Sequence, residues 1–289
     1  MKTNPECMTC FHRQADYAAG LATSDPFARA AIVEQVEAYL AGVNLAEAPP
    51  VNAIALYRLI AQVSQNHDPF AALKRQSNDL ALGLRPQVEA LVRQGDDPRR
   101  RAILFAMAGN IIDYGSQQEF DLDKTLRQCL ENPPIIDDYA ELCQALAQAR
   151  SILYLADNCG EIVFDGLLID QLPGTVTMAV KEGPVINDAT MADACYCGLD
   201  RKCRVISNGV VCPGTPLSRC SREFLELFEG ADVVISKGQG NFETLSEVER
   251  PVFHLLTVKC PVVADHVAEL KKYPGRIPIG VAVLMRLGG

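Results

Sequence analysis

Five short apolar runs rich in β-branched residues follow one another after Arg150: SILYLA (151–156), TVTMAV (175–180), CRVIS (203–207), ADVVIS (231–236) and PVFHLLTV (251–258). Helical-looking stretches, Ile162–Leu172 and Ser218–Phe228 among them, lie between several of these runs. Strands that stay apolar along their whole length are buried on both faces, and helices between them supply the cover. The pattern therefore predicts an α/β fold: a mostly parallel, doubly wound sheet with helices on both faces over residues 149–289.

The preceding residues, 1–148, read differently, as an all-helical domain joined to the sheet near 145–150. Ser24-Asp25-Pro26 is an N-cap followed by proline at the first helical position, and Ile32, Val33, Val36, Tyr39 and Leu40 then recur at helical spacing. Asp97-Pro98 repeats the signal ahead of Ile103, Leu104, Met107 and Ile111, and Asn66-His67-Asp68-Pro69-Phe70 is a third break. Arg99, Arg100 and Arg101 follow Asp96 and Asp97 directly and read as a solvated helix start.

In an open α/β sheet, ligands bind beyond the carboxyl ends of the strands. Four of the runs end there in polar residues with glycine: Asp157-Asn158-Cys159-Gly160-Glu161, Lys181 to Asp188, Ser207-Asn208-Gly209, and Lys237-Gly238-Gln239-Gly240-Asn241. Asp157, Asn158 and Asp188 offer only oxygen donors, a set suited to one hard divalent ion such as Mg²⁺ or Mn²⁺. Lys237 with Gly238 and Gly240 offers an ammonium and open backbone N–H groups, which suit a phosphate. Carboxylates around a metal, facing a lysine and a glycine-rich loop, are what metal-assisted phosphoryl transfer to water requires. Taken singly, Asp157 or Asp188 could instead cap the helix that follows its strand, a reading that weakens when both are considered together.

Other chemistries find less support. Asp121-Leu122-Asp123-Lys124-Thr125 has the spacing of a phosphatase nucleophile motif but follows no apolar strand. Gly238-Gln239-Gly240 lacks the third glycine of a dinucleotide fingerprint, and there is no P-loop and no nucleophile elbow. The formal net charge of −9 argues against nucleic-acid binding. No apolar run reaches the length of a membrane span; IPIGVAVLM comes nearest at half of it. The first residues carry no apolar secretory segment, and eleven cysteines scattered through a core-rich chain read as reduced thiols, so a cytoplasmic protein is expected.

The loops taken together resemble the damage-control metal phosphatases, catalogued as domain-of-unknown-function family eighty-nine and also called acidic-residue-methyltransferase-like. The matching pieces are CMTC (7–10), NHDPFAALKRQSNDLAL (66–82), AGNIIDYG (108–115), LADNCGEIVFD (155–165), VKEGPVINDATMADA (180–194), ISNG (206–209), ISKGQGNFETL (235–245) and VKC (258–260). The Cys-x-x-Cys piece is similar to the stand-alone prokaryotic branch. The resemblance implies a helical part packed on an α/β core and a metal-dependent phosphatase acting on a small phosphorylated metabolite; the candidate ions are Mg, Mn, Co and Ni, one per site. It places the metal ligands at Asp157, Asn158 and Asp188 and the phosphate-side lysine at Lys237. It adds Gly109-Asn110 and Asp113 as a wall of the site contributed by the helical half; the strand-end loops themselves put Asn208, Gly209, Gly238 and Gly240 on the substrate side. Glu161 and Asp113 are candidates for a general base or for supporting contacts, and either a water or Asp157 could be the nucleophile.

Methylation of acidic side chains is implied less strongly, because no glycine-rich cofactor loop follows the first strand of the α/β part. A non-hydrolytic metal or phosphometabolite binder would use the same loops; it would bind tightly and release no phosphate. A scaffold built on the helical half would show no metal dependence. Cys7 and Cys10 supply two of the four ligands of a structural zinc, which Cys195, Cys197 and Cys203, or Cys212 and Cys220, could complete; plain thiols are the simpler reading. His254, inside an apolar run, reads as a core histidine with its hydrogen bonds satisfied.

Overall fold

Asp25 opens a helix as its type requires, its Oδ1 accepting from the Phe27 amide at 3.0 Å with Pro26 in the first turn. The structure, a computed structural model, describes residues 1–114 and 130–289, with the side chains of 109–114 outside the description. Helices α1 (Cys7–Ala22), α2 (Pro26–Leu40) and α3 (Pro49–Ser64) close on a core that includes Phe11, Ile32, Val36, Leu56, Ile60 and Phe70.

Helices α4 (Ala71–Arg93), α5 (Pro98–Tyr114) and α6 (Tyr139–Gln148) belong to a different core. Val88, Ile103, Phe105 and Leu142 share it with Tyr154, Phe164, Met178 and Ile235 of the sheet half. The change of sequence pattern near residue 148 thus marks where most strands begin, while the packing runs across it. A two-residue strand, β1 (Ile136–Asp137), lies before that point and pairs with the last strand.

The remaining strands are β2 (Ser151–Leu155), β3 (Thr175–Val180), β4 (Arg204–Ser207), β5 (Val233–Lys237), β6 (Val252–Thr257) and β7 (Ala282–Leu287). The sheet order is β1-β7-β6-β5-β2-β3-β4, parallel except where β7 runs against β6. From β2 the chain steps outward to β3 and β4, then returns to place β5 on the other side of β2. That reversal opens a crevice at the carboxyl ends of β2 and β5, which is where a doubly wound sheet takes its ligand.

Helix α7 (Glu161–Ile169) follows β2 and is buried along its entire length. A helix apolar nearly all round needs cover on every side, and α4 and α5 provide it on the side away from the sheet. Further α-helices among the described residues are α8 (Met191–Tyr196), α9 (Arg222–Gly230), α10 (Gln239–Leu245) and α11 (Pro261–Leu270). None of the described helices is long and apolar enough to cross a membrane.

His254 on β6 is fully buried, edge-on to Phe242 at 5.4 Å, but neither ring nitrogen has a hydrogen-bond partner among the described residues. The expectation of satisfied hydrogen bonds is therefore corrected. Burial without a partner disfavours the imidazolium and pushes its pKa down to about 3. Between that value and the ordinary 6.5, the unfolded chain binds a proton that the native state refuses, so stability falls as the pH drops below 6.5. At pH 5 this group costs about 2 kcal/mol. A His254→Leu variant should lack that share of the acid-induced loss, read from urea midpoints at pH 7 and pH 5. Identical pH profiles would contradict the assignment.

Candidate active site

The loops after β2 and β3 are zipped together at their ends. Asn158 and Asp188 form an isolated antiparallel bridge, Cys159 N–H donates to the Asn187 carbonyl at 2.8 Å, and Ala189 N–H to the Asp157 carbonyl at 2.8 Å. This stitching brings Asp157, Asn158 and Asp188 together, each buried. The neighbouring Ile186 takes a left-handed φ of 45°, which β-branched residues rarely adopt and which strains the loop that delivers Asp188.

Gly238, at the end of β5, has φ +80°, and a Cβ there would stand 1.9 Å from Asp157 Oδ2. The glycine is needed because a carboxylate rests on the backbone at the point where phosphate was expected. Gly240 and Gly209 also answer to chain packing, since their Cβ atoms would fall 2.1 Å from the Pro213 carbonyl oxygen and 2.5 Å from Ser221 Cβ. Asn208 accepts from the Val210 amide at 3.1 Å and donates to Thr215 Oγ1 at 3.4 Å. These three expected substrate contacts thus hold the loop after β4 in place. Asn110 and Asp113 fall on α5, but their side chains, like all of Asp121–Thr125, lie outside the described residues.

Lys237 departs most from expectation. Its Nζ donates to the Ala106 carbonyl at 2.7 Å, Asp165 Oδ1 at 2.8 Å and Glu161 Oε2 at 3.2 Å, which engages all three protons below the site. Burial alone would lower this ammonium, but Asp165 and Glu161 outweigh it and the net shift is upward. Asp165 also accepts from Tyr154 Oη at 2.7 Å. Glu161 in turn accepts from Asn158 Nδ2 at 2.8 Å, and the same nitrogen donates to Asp157 Oδ2 at 3.0 Å. Glu161 therefore orients the Asn158 carboxamide, so that Oδ1 is the atom it can offer a cation.

Three participants escaped the sequence reading. Lys181 Nζ donates to Asn241 Oδ1 at 2.9 Å and the Gly214 carbonyl at 3.1 Å, and stands 3.6 Å from Asp188 Oδ2. Asn241 Nδ2 ties the ends of two strands together through the carbonyls of Ala156 at 3.1 Å and Lys237 at 2.8 Å. The signal for Lys181 was its place directly after β3, matching that of Lys237 on β5. For Asp165 it was a second carboxylate four residues from Glu161, on one face of an otherwise apolar helix.

The donors fit a hard divalent ion. Asp188 Oδ2 is buried without a hydrogen-bond partner among the described residues. Burial, then the Glu161 charge, push Asp157 up to about 6. Burial drives Asp188 well above the ordinary range; Lys181 opposes the shift and Asp157 adds to it. Two neighbouring buried carboxylates in this condition lack positive charge, and a carboxamide oxygen completes an all-oxygen set. Among the described residues no group of three His, Cys, Asp or Glu side chains is arranged to hold a metal. The described cysteines are free thiols, and the thiols that influence Cys7 are Cys260 and Cys10 rather than Cys195, Cys197, Cys203, Cys212 or Cys220.

A family model described as the damage-control phosphatase ARMT1-like domain matches residues 3–272. The chain belongs to this family. Within it, a damage-control phosphatase of Pyrococcus horikoshii is 37% identical over 294 residues, covering 99% of this chain and 98% of the relative. A damage-control phosphatase of Archaeoglobus fulgidus is 30% identical over 276 residues, covering 91% and 94%. The crystal structure of a DUF89 family protein from Pyrococcus horikoshii matches with a TM-score of 0.88 and 36% identity over 99% of each chain.

Proposed function

We propose that this chain is a divalent-metal-dependent phosphatase that hydrolyses small phosphate esters, sugar phosphates or damaged phosphometabolites. The observation that carries the reading is a charge imbalance. Four buried carboxylates, Asp157, Glu161, Asp165 and Asp188, share one network with two buried ammonium groups, Lys181 and Lys237. One divalent cation makes up the difference. Asp157, Asn158 and Asp188 would hold it, and bound there it supplies a Lewis acid that draws charge from phosphoryl oxygens.

The chain's own residues do the rest. Lys237 fixes Glu161, Glu161 fixes the Asn158 amide, and Lys181 braces Asp188, so the oxygen donors are pre-set before substrate arrives. Water's oxygen then ends on phosphorus, and the ester oxygen leaves as the alcohol. Two cavities border the loop before Asp188. One of about 500 Å³ is lined by Asp68, Lys74, Arg75, Asn78 and Asp193; the other, of about 310 Å³, is lined by Tyr57, Phe70, Val185 and Ile186. Both are of a size for small metabolites. Relatives named damage-control phosphatases support the reaction class.

The test is release of inorganic phosphate from a panel of sugar phosphates and p-nitrophenyl phosphate with Mg²⁺, Mn²⁺, Co²⁺ or Ni²⁺, with Asp157→Ala as blank. Metal-dependent release lost in the variant is expected. Silence across the panel with metal binding intact would overturn hydrolysis in favour of a non-hydrolytic binder.

A further inference from the structure

Side chains three apart on a helix share a face. Cys7 is the first residue of α1 and Cys10 lies one turn on, so both thiols stand at the open end of the helix. The rise and radius of an α-helix put Cα atoms three residues apart at a separation of about 5 Å. A disulfide spans Cα atoms roughly 4.4–6.8 Å apart, so the backbone is already within reach. Drawing the two Cβ atoms together takes only an adjustment of the first turn, where few intrahelical hydrogen bonds resist it. Cys195 and Cys197, two apart at the end of α8, point to different faces instead.

The surroundings of the pair suit exchange chemistry. Both thiols are half-buried, whereas Cys159, Cys197 and Cys212 are buried. Arg13, exposed and one turn further along α1, donates from Nη2 to Cys10 Sγ at 4.0 Å. Its guanidinium stands beside the sulfur that would carry negative charge in an attack. Burial raises the Cys7 thiol; a backbone contact with Asn4 opposes the shift, and the charges of Glu243, Cys260 and Cys10 add to it. Cys7 thus waits as the protonated partner. The third thiol nearby, Cys260, accepts from Gln239 Nε2 at 3.8 Å and packs with the core of α11, while Cys7 packs with that of α1 to α3. Joining Cys260 to α1 would require two separately packed elements to shift, but Cys7 and Cys10 share one turn.

We propose that Cys7 and Cys10 form a reversible dithiol–disulfide centre that exchanges with small-molecule disulfides. Cys10 Sγ, as thiolate, attacks one sulfur of the small disulfide. A mixed disulfide forms, and the other half leaves as a thiolate that takes up the proton Cys10 gave. Cys7 Sγ, losing its proton, then attacks Cys10 Sγ and expels the second half as a thiol. Two protein thiols give up two electrons and two protons, and one small disulfide becomes two thiols. In a reducing compartment such a pair rests as thiols and is oxidised transiently.

This inference is independent of the proposed hydrolysis. The native protein, equilibrated in buffers of reduced and oxidised glutathione, quenched with acid, alkylated and digested, reports the pair by mass spectrometry. The Cys7–Cys10 disulfide should rise from about one-tenth to about nine-tenths of the protein over a roughly hundred-fold change in the ratio of squared glutathione to glutathione disulfide concentration, and dithiothreitol should reverse it. Cys7→Ser should arrest the exchange as a glutathione adduct on Cys10. Cys10→Ser should take up glutathione on Cys7 more slowly than Cys7→Ser does on Cys10. Free thiols at both positions throughout the series, a disulfide from either position to Cys260, or glutathione adducts without a Cys7–Cys10 bond in the wild type would overturn the proposal. An adduct forming faster on Cys7 than on Cys10 would overturn the assignment of Cys10 as the attacking thiol.

Discussion

Lys237→Met is expected to lose about 3–5 kcal/mol of folding stability, the usual loss when one partner of a buried ion pair is removed. The lysine is 1% exposed and meets Asp165 and Glu161, themselves 0% and 1% exposed. Without the ammonium these carboxylates must either stay charged in a medium that cannot solvate them or take up protons. Asp165 is already raised by burial, with Lys237 as the strongest opposing influence. For a chain of this size the loss corresponds to a melting temperature lower by roughly ten degrees. Adding Asp165→Asn removes one stranded charge and should recover part of the loss, so the two changes will not add. A Lys237→Met protein melting within 1 kcal/mol of the wild type would show that the cluster does not hold the site together.

Asp157→Asn is expected to move activity and stability in opposite directions. Phosphate release should vanish, because the cation loses a charged ligand. The metal-free protein should become more stable at pH 7, because a carboxylate raised to about 6 by burial destabilises the native state wherever it is ionised. The sign follows from proton binding. Between 3.8 and about 6 the native state holds a proton that the unfolded chain has lost, so the penalty is complete above pH 6 and relieved as the pH falls through 6. The gain in the variant is up to about 3 kcal/mol at pH 7 and disappears below about pH 4. Asparagine keeps an acceptor for Asn158 Nδ2, so the local hydrogen bond survives. Thermal melts with and without Mn²⁺ read both effects: Mn²⁺ should stabilise the wild type and leave the variant unmoved. A variant less stable than the wild type without metal would contradict this account of the carboxylate.

The sheet was legible because its strands are buried on both faces and therefore read as unbroken apolar runs. TVTMAV is β3 residue for residue, and the other four runs match β2, β4, β5 and β6 to within two residues at either end. The strand-end rule also led to Asp157, Asn158 and Asp188, since the order reversal at β2 sends those loops to one crevice. What the sequence hid was partnership. Ile103 and Phe105 show an apolar helix, but not that α5 covers α7 and joins the core of the sheet. β7 runs antiparallel to β6 and begins within the stretch IPIGVAVLM, whose sequence says only that it is too short to span a membrane. A glycine announces that no Cβ fits, without saying what fills the space: beside Gly238 it is the Asp157 carboxylate, beside Gly240 the Pro213 carbonyl. Lysines at strand ends look available until their acceptors are seen, and for Lys237 those come from α5 and α7, far apart in sequence.

The measurement closest to the central claim is phosphate release as a function of added Mn²⁺ by the chelated wild type and by Asp188→Ala, on the best ester of the panel. The account predicts no release without metal, a saturable rise with Mn²⁺ in the wild type, and none in the variant at any Mn²⁺ concentration. Full turnover by the chelated protein, or by Asp188→Ala, would contradict it.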